Sequence, residues 1–309
     1  MEPGRRAFLL PSGGARDPWA QFQHRLARVV AGSLTDETTG SLRRARLRAA
    51  RPPDLYHARA LCAELGVVLA DANAGIDDRG DPRPWLWVDA GSLAGHGAVD
   101  TSIGLIGADA GCRIGSLSAA LSGTGWHAPA LRAADPAETL GRWFATADGW
   151  LPGRCDASGV HAVDVMLADG SSQQLGSFGV AGVRPLTPAL RALVSGLFEF
   201  AGSPAVTALR GAPRWPARYR LDALLPETPA GATPVPNLAH LLLGSRGSLA
   251  WVERIHLRLQ HDAASPAPTV ASTVTSLPGQ PPALAAVQHI DAEVKRRFDP
   301  ATCFPSPFV

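Results

Sequence analysis

Two hydrophobic periods alternate along the chain. Phe22, Leu26, Val29 and Val30 recur at helical spacing and predict a helix from about Trp19 to Val30. Leu55, Ala58, Leu61, Cys62 and Leu65 predict a second helix over 52–66, with Asp54 as its cap and Gly66 as its stop. Short apolar runs at 67–70, 85–88 and 103–110 read as strands. A helix follows within 111–125, with Ile114, Leu117 and Leu121 on its apolar side and Gly123 ending it. Val160–Leu167 and Ser171–Leu175 flank the turn Ala168-Asp169-Gly170 and predict a hairpin. A helix is expected near 188–200, and a helix or strand end at 238–243. Leu249, Trp251, Glu253, Ile255, Leu257 and Leu259 alternate as one face of a strand, and 284–298 reads as a last amphipathic helix. Residues 71–84 read as a loop, and 262–283, rich in Pro, Ser, Thr and Ala, as a linker. The class is α+β, without an internal repeat.

Composition narrows the function. The chain has 309 residues, 46% hydrophobic and 18% charged, with a formal net charge of +2. That balance gives no reason to expect nucleic acid as a partner. Lys295 is the only lysine, and Val294 rather than glycine precedes it, so no lysine-bearing phosphate loop exists. Arg43, Arg44, Arg46, Arg48 and Arg51 cluster, with Arg59 beyond, and read as a solvated helix face or a basic patch. Cys62, Cys112, Cys155 and Cys303 form no C-x-x-C pair, and no Cys/His spacing suggests a metal. The apolar stretch Ala7–Leu10 is too short for a signal-peptide core, and no run approaches the ~20 residues that span a bilayer. A cytoplasmic protein is expected. Neither G-x-G-x-x-G, nor G-x-S-x-G, nor H-E-x-x-H occurs.

Five segments in order carry a resemblance. They are GADAGCRIGSLSAALSGTGW (107–126), DPAETLGRWFATADGW (135–150), HAVDVMLADGS (161–171), LLLGSRGSLAWVERIHLRL (241–259) and the tail KRRFDPATCFPSPF (295–308). Together they resemble the FAD-binding PCMH-type domain of the vanillyl-alcohol oxidase / p-cresol methylhydroxylase superfamily, most of all the FAD-binding subunit of glycolate oxidase, in a degenerate form. The resemblance implies a two-lobed α+β domain of mixed sheets flanked by helices, its cap domain missing or vestigial. The expected organisation is an N-terminal arm over 1–50, the FAD-binding domain over 51–262 with lobes of about 51–125 and 126–262, and a linker with C-terminal helix and tail over 263–309.

The same resemblance implies FAD as cofactor. A flavin dinucleotide lies against backbone, so small residues belong where it touches: Gly141, Ala145, Ala147, Gly149 and Gly153. Thr139, Leu249 and Val252 complete the implied cofactor set, and Arg154 would meet a phosphate through charge-assisted hydrogen bonds. With only about fifty residues after Leu259, a partner subunit would supply the substrate or electron-transfer site. The sequence assigns no catalytic base and no metal.

Departures from the family pattern keep a second reading open. A glycine-rich pyrophosphate nest should follow Leu69, but the chain has DANAGIDDRGDPRP, with Asp71, Asp77, Asp78 and Asp81 beside Arg79 and Arg83. A carboxylate ~4 Å from a phosphate oxygen repels it by about 1–4 kcal/mol, depending on screening. Arg142 and Arg246 replace a glycine and a glutamate of the pattern, and Trp143 and Trp251 add bulk. The two readings are therefore an FAD-linked oxidoreductase, such as the flavin subunit of a 2-hydroxy-acid dehydrogenase, and a non-catalytic relative that keeps the fold as a scaffold without FAD. His127 and His161 read as a turn and a strand residue, Trp126, Trp143, Trp150 and Trp251 as packing residues, and Lys295 as an exposed helix residue.

Overall fold

The computed structural model describes residues 17–78, 80–177, 186–226, 235–262 and 284–306. Nearly all of the expected linker, the start of the chain, Arg79 and the last three residues lie outside them.

The first lobe grows from a strand that the arginine cluster forms. Helix α1 (Pro18–Val29) leads into β1 (Ser33–Asp36) and β2 (Arg44–Arg48), then α2 (Pro52–Leu65), β3 (Val68–Asp71) and β4 (Trp85–Asp89). The sheet order is β1-β2-β4-β3, with β2, β4 and β3 mutually parallel and β1 antiparallel at the edge. Within the segment that the sequence suggests is an arm, residues 33–36 and 44–48 are thus strands of this sheet and α1 packs on α2. In β2, Arg-Ala-Arg-Leu-Arg has period two: Ala45 and Leu47 are buried, while Arg46 and Arg48 pair with Glu37 and Asp89. That pattern corrects the solvated-helix reading, and these charges are not an open basic patch. Arg44 is itself buried, donating to the carbonyls of Arg43, Asp81 and Arg83 and pairing with Asp78.

Helix α2 covers the sheet because its ends are well set. Asp54 accepts from the N–H groups of Ala31, Gly32 and Ala50, at 2.9–3.0 Å, and Gly66 closes the helix at φ 66°. Phe22 and Leu26 of α1, Leu55 and Leu61 of α2, Leu69 and Leu86 build the lobe's core.

The second lobe contains β5 (Leu105–Asp109), α3 (Ile114–Leu121), β6 (Trp126–His127), α4 (Leu140–Thr146), β7 (Val160–Met166), β8 (Ser172–Gly176), α5 (Pro188–Ala201), the single turns α6 (Pro204–Thr207) and α7 (Leu238–Leu241), β9 (Trp251–Arg258), β10 (Gln260–His261) and α8 (Leu284–Phe298). Its sheet is antiparallel in the order β5-β9-β7-β8. One face buries Ile106, Val163, Val165, Ile255 and Leu257 against the helices. A register shift between Asp164 and Val165 leaves Glu253 bulged, since Arg254 opposes Asp164 while Val252 opposes Val165. Trp251 and Ile255, expected on one face, therefore face different cores: Trp251 packs with Met166 on the first lobe, Ile255 within the second.

The C-terminal tail straps the lobes together. Helix α8 lays Ile290, Val294 and Phe298 on the second lobe, and the chain then returns to place Phe304 in the first-lobe core. The carbonyl of Cys303 accepts from the N–H of Leu69, at 2.8 Å, so the tail runs beside β3. Lys295, expected on an exposed helix face, is buried at this joint. All four cysteines are buried and free.

Candidate functional site

Parallel strands leave their C-terminal ends together, and in such sheets ligands bind beyond those ends. Residues following β4 turn toward the second lobe and, with it, enclose a crevice of about 710 Å³. Its walls include Tyr56 of α2, Ala90 and Ser92–Gly95 after β4, Asp109–Gly111 at the end of β5, and Val252–Arg254 and His256 of β9. The volume suits a small organic ligand or part of a larger one. Gly111 lets the lobes meet here, because a Cβ on it would overlap the carbonyl oxygens of Ala90 and Leu93.

The crevice floor is the outer face of the second sheet and is polar. Asp109 accepts from Arg254 Nε at 2.9 Å and from the N–H of Gly95 at 2.9 Å. Asp164 accepts from Gln174 at 2.9 Å and lies 2.9 Å from His256 Nε2. Burial opposes ionisation of Asp164, but the bonds from His256 and Gln174 outweigh it and hold its pKa below the usual value. Burial, aided by Glu253, raises the pKa of Tyr56. Leu55, Leu93 and Trp251 give the walls an apolar surface. Carboxylates with spare lone pairs beside apolar walls suit a heterocycle bearing hydroxyl groups.

The loop after β3 tells against a pyrophosphate. Asp78 and Asp81 are turned inward to Arg44 and Arg83, and neither lines the crevice. Asp71 remains at the seam, its carboxylate capping the N–H of Asn73 at 2.8 Å. Burial raises its pKa to about 6, with the Asn73 bond opposing and the nearby Asp89 charge adding to the rise. From the second lobe, Arg142 donates to the carbonyl of Asn73 (3.2 Å) and Arg246 to that of Gly75 (2.8 Å). A Cβ on Gly247 would stand 3.7–3.8 Å from the Cβ atoms of Ala74 and Asp71, so loop and turn leave room for only a methyl group. The crevice volume is in the range of an adenosine-sized group, and the loop, in this conformation, does not fit a pyrophosphate.

The residues implied by the resemblance fall in three places. Val252 lines the crevice, and Gly141 stands at its edge, donating to the carbonyl of Ala110 at 2.7 Å. Its missing Cβ is explained by that approach, since a Cβ would come 2.9 Å from Ala110. Thr139 caps α4 through the N–H of Arg142, and Ala145 is buried in the same helix. Ala147 lines a separate recess at the other end of α4, about 10 Å away by helix rise. Gly149 faces open space. Gly153, at φ 72°, donates to Asp222 within the core; Arg154 faces Asp156 on an exposed turn; Leu249 is wholly buried. These last three do not reach the crevice.

Sequence reasoning did not single out Asp109, Asp164, Arg254 and His256 as a group. They stand on three strands and meet only through the pairing of β9 with β5 and β7. His127 lies 2.7 Å from Asp262, outside the crevice, and burial lowers the pKa of His161 on β7. Among the described residues, no single helix is long and apolar enough to cross a membrane.

No protein-family description matches the chain, and no curated protein does. Solved structures are similar over most of its length. Wild-type BBE-like 1 of Physcomitrella patens aligns over 78% of this chain and 44% of its own, at 13% identity and a TM-score of 0.45. An alkyldihydroxyacetonephosphate synthase aligns over 70% and 32%, at 14% identity and a TM-score of 0.42. The chain spans less than half the length of these structures.

Proposed function

We propose that this chain is an FAD-linked oxidoreductase domain, the flavin subunit of a 2-hydroxy-acid dehydrogenase of glycolate oxidase type. The observation that carries the reading is the crevice between two lobes, at the C-terminal ends of parallel strands, with segments 107–126 and 241–259 of the resemblance contributing to its wall. Its adenosine end would lie against Val252, Leu93 and the Asp109–Gly111 turn. Bound flavin would supply the two-electron chemistry. This chain's own residues would bind and orient it, and a partner subunit in the cytoplasm would supply substrate or electron acceptor.

A specific observation favours the second reading, a scaffold without FAD. Arg142 and Arg246 hold the loop against the second lobe, and Asp71 adds negative charge where a pyrophosphate would pass. The visible spectrum of the purified chain, taken before and after incubation with FAD and desalting, separates the two. A retained flavin band near one per chain, with a rise in Tm in excess FAD, supports the oxidoreductase. A colourless protein whose Tm ignores FAD overturns it in favour of the scaffold.

A further inference from the structure

The recess at the far end of α4 has a chemistry unlike that of the crevice. It measures about 300 Å³, too small for a dinucleotide, and its lining includes Trp215, Arg218, Gly244, Arg246 and Asp291. We propose that it is an oxyanion site in which Arg218 and Arg246 hold the carboxylate of a small organic acid. That the acid is a substrate rests on the function proposed above; that the site binds it does not.

The argument is a census of charge. Arg220 also borders the recess, but its guanidinium is committed to Asp222 and to the carbonyls of Trp150 and Leu151. Arg218 makes no side-chain hydrogen bond or ion pair among the described residues. Arg246 meets a neutral acceptor, the carbonyl of Gly75. Two arginines thus line one small recess without a carboxylate bonded to either guanidinium. The acids nearby are not bonded to either guanidinium. Asp291 has its two oxygens engaged by the N–H groups of Arg218 and Tyr219, both at 3.1 Å; burial raises its pKa, with those bonds and the Arg218 charge opposing the rise. Asp148 stands exposed at the rim.

Position supports the same assignment. Arg246 has φ 54°, a conformation that side-chain-bearing residues seldom adopt, between Gly244 at 74° and Gly247 at 67°. The turn is held by bonds from the N–H groups of Gly244 and Arg246 to the carbonyls of Phe144 and Ala145, both at 3.0 Å. Those bonds fix where the guanidinium begins, and they also spend the N–H groups that a phosphate nest would need. A planar carboxylate needs no nest, because guanidinium groups bind it through paired, charge-assisted hydrogen bonds. Trp215, pinned by its Nε1 bond to the carbonyl of Tyr219, gives the recess an apolar wall.

The test uses the full chain without added flavin. Calorimetric titrations compare glycolate, its neutral amide glycolamide, and inorganic phosphate. The expected result is that glycolate binds, glycolamide does not, and phosphate binds more weakly than glycolate. Arg218→Gln keeps the backbone bond to Asp291, and Arg246→Gly suits the positive φ, so both variants should fold. Each should weaken glycolate binding about tenfold or more, whereas Arg28→Gln on α1 should not. Equal binding of glycolamide, phosphate binding tighter than glycolate, or glycolate binding unchanged in both variants overturns the proposal. FAD retention is measured in parallel. FAD lost with glycolate binding intact removes the flavin reading and leaves the site; FAD retained without glycolate binding removes the site alone.

Discussion

Lys295 Nζ lies 2.6 Å from Asp299 Oδ2, and both side chains are buried where the C-terminal tail turns from one lobe to the other. The lysine also donates to the carbonyls of Ser248 and Phe304, and Asp299 accepts from the N–H groups of Cys303 and Phe304. The pair thus fastens the tail at both ends of its turn. Replacing Lys295 with methionine fills similar space but leaves Asp299 without its counter-charge. Such an uncompensated buried charge costs about 3–5 kcal/mol. Urea unfolding of Lys295→Met should show that loss, and the double variant Lys295→Met/Asp299→Asn should recover part of it.

Asp71 makes the seam between the lobes sensitive to pH. Its pKa is about 6 in the folded chain against an ordinary 3.8, so the folded state binds the proton more tightly. Its contribution to stability is therefore greatest below pH 3.8 and is lost as pH rises through 6. Other carboxylates, such as Asp164, shift the opposite way, so the difference between two proteins is the useful quantity. Asp71→Asn should be more stable than the natural chain by roughly 1–3 kcal/mol at pH 7. The advantage should vanish near pH 4, as read by urea unfolding across that range. If FAD binds as proposed, its retention should improve below pH 6 in the natural chain and stay level in the variant.

Much of this arrangement is legible locally. Helices α1, α2, α5 and α8 announce themselves through apolar spacing, and Gly66 marks its own role as stop; Asp54, expected as the cap, instead sits at the third position of α2 and closes a capping box with Arg51. The rest depends on partners far along the chain. The bulge at Glu253 is invisible because the apolar alternation continues through it in sequence while the backbone shifts by one residue. Lys295 looks exposed on a helical wheel because the groups that bury it, at Ser248 and Phe304, come from other segments. The polar crevice floor likewise needs Asp109 and Arg254 to meet across 145 residues. No local period carries that information.

Gly111 stands at a close approach between the two lobes. A Cβ there would overlap backbone oxygens of Ala90 and Leu93, and backbone cannot swing away as a long side chain can. Gly111→Ala should therefore destabilise the fold by about 1–3 kcal/mol through overpacking. Gly149→Ala, where the added carbon meets nothing within 4 Å, is the matched control and should leave the urea midpoint nearly unchanged.

Arg142 and Arg246 act on the loop rather than on the core. Both side chains are exposed, and their bonds to the carbonyls of Asn73 and Gly75 cross the seam from the second lobe. Exposed contacts of this kind contribute about 1 kcal/mol or less each to global stability. Their local effect is larger in proportion, because opening of one segment has its own small free energy. The variant Arg142→Ala/Arg246→Ala should keep a urea midpoint close to that of the natural chain while amide hydrogens of residues 72–78 exchange faster. Exchange in β3 and β4 should stay slow, since their ladder and the Leu69–Cys303 bond are untouched. Unchanged exchange across 72–78 would show that the loop stays closed on the second lobe without these two bonds.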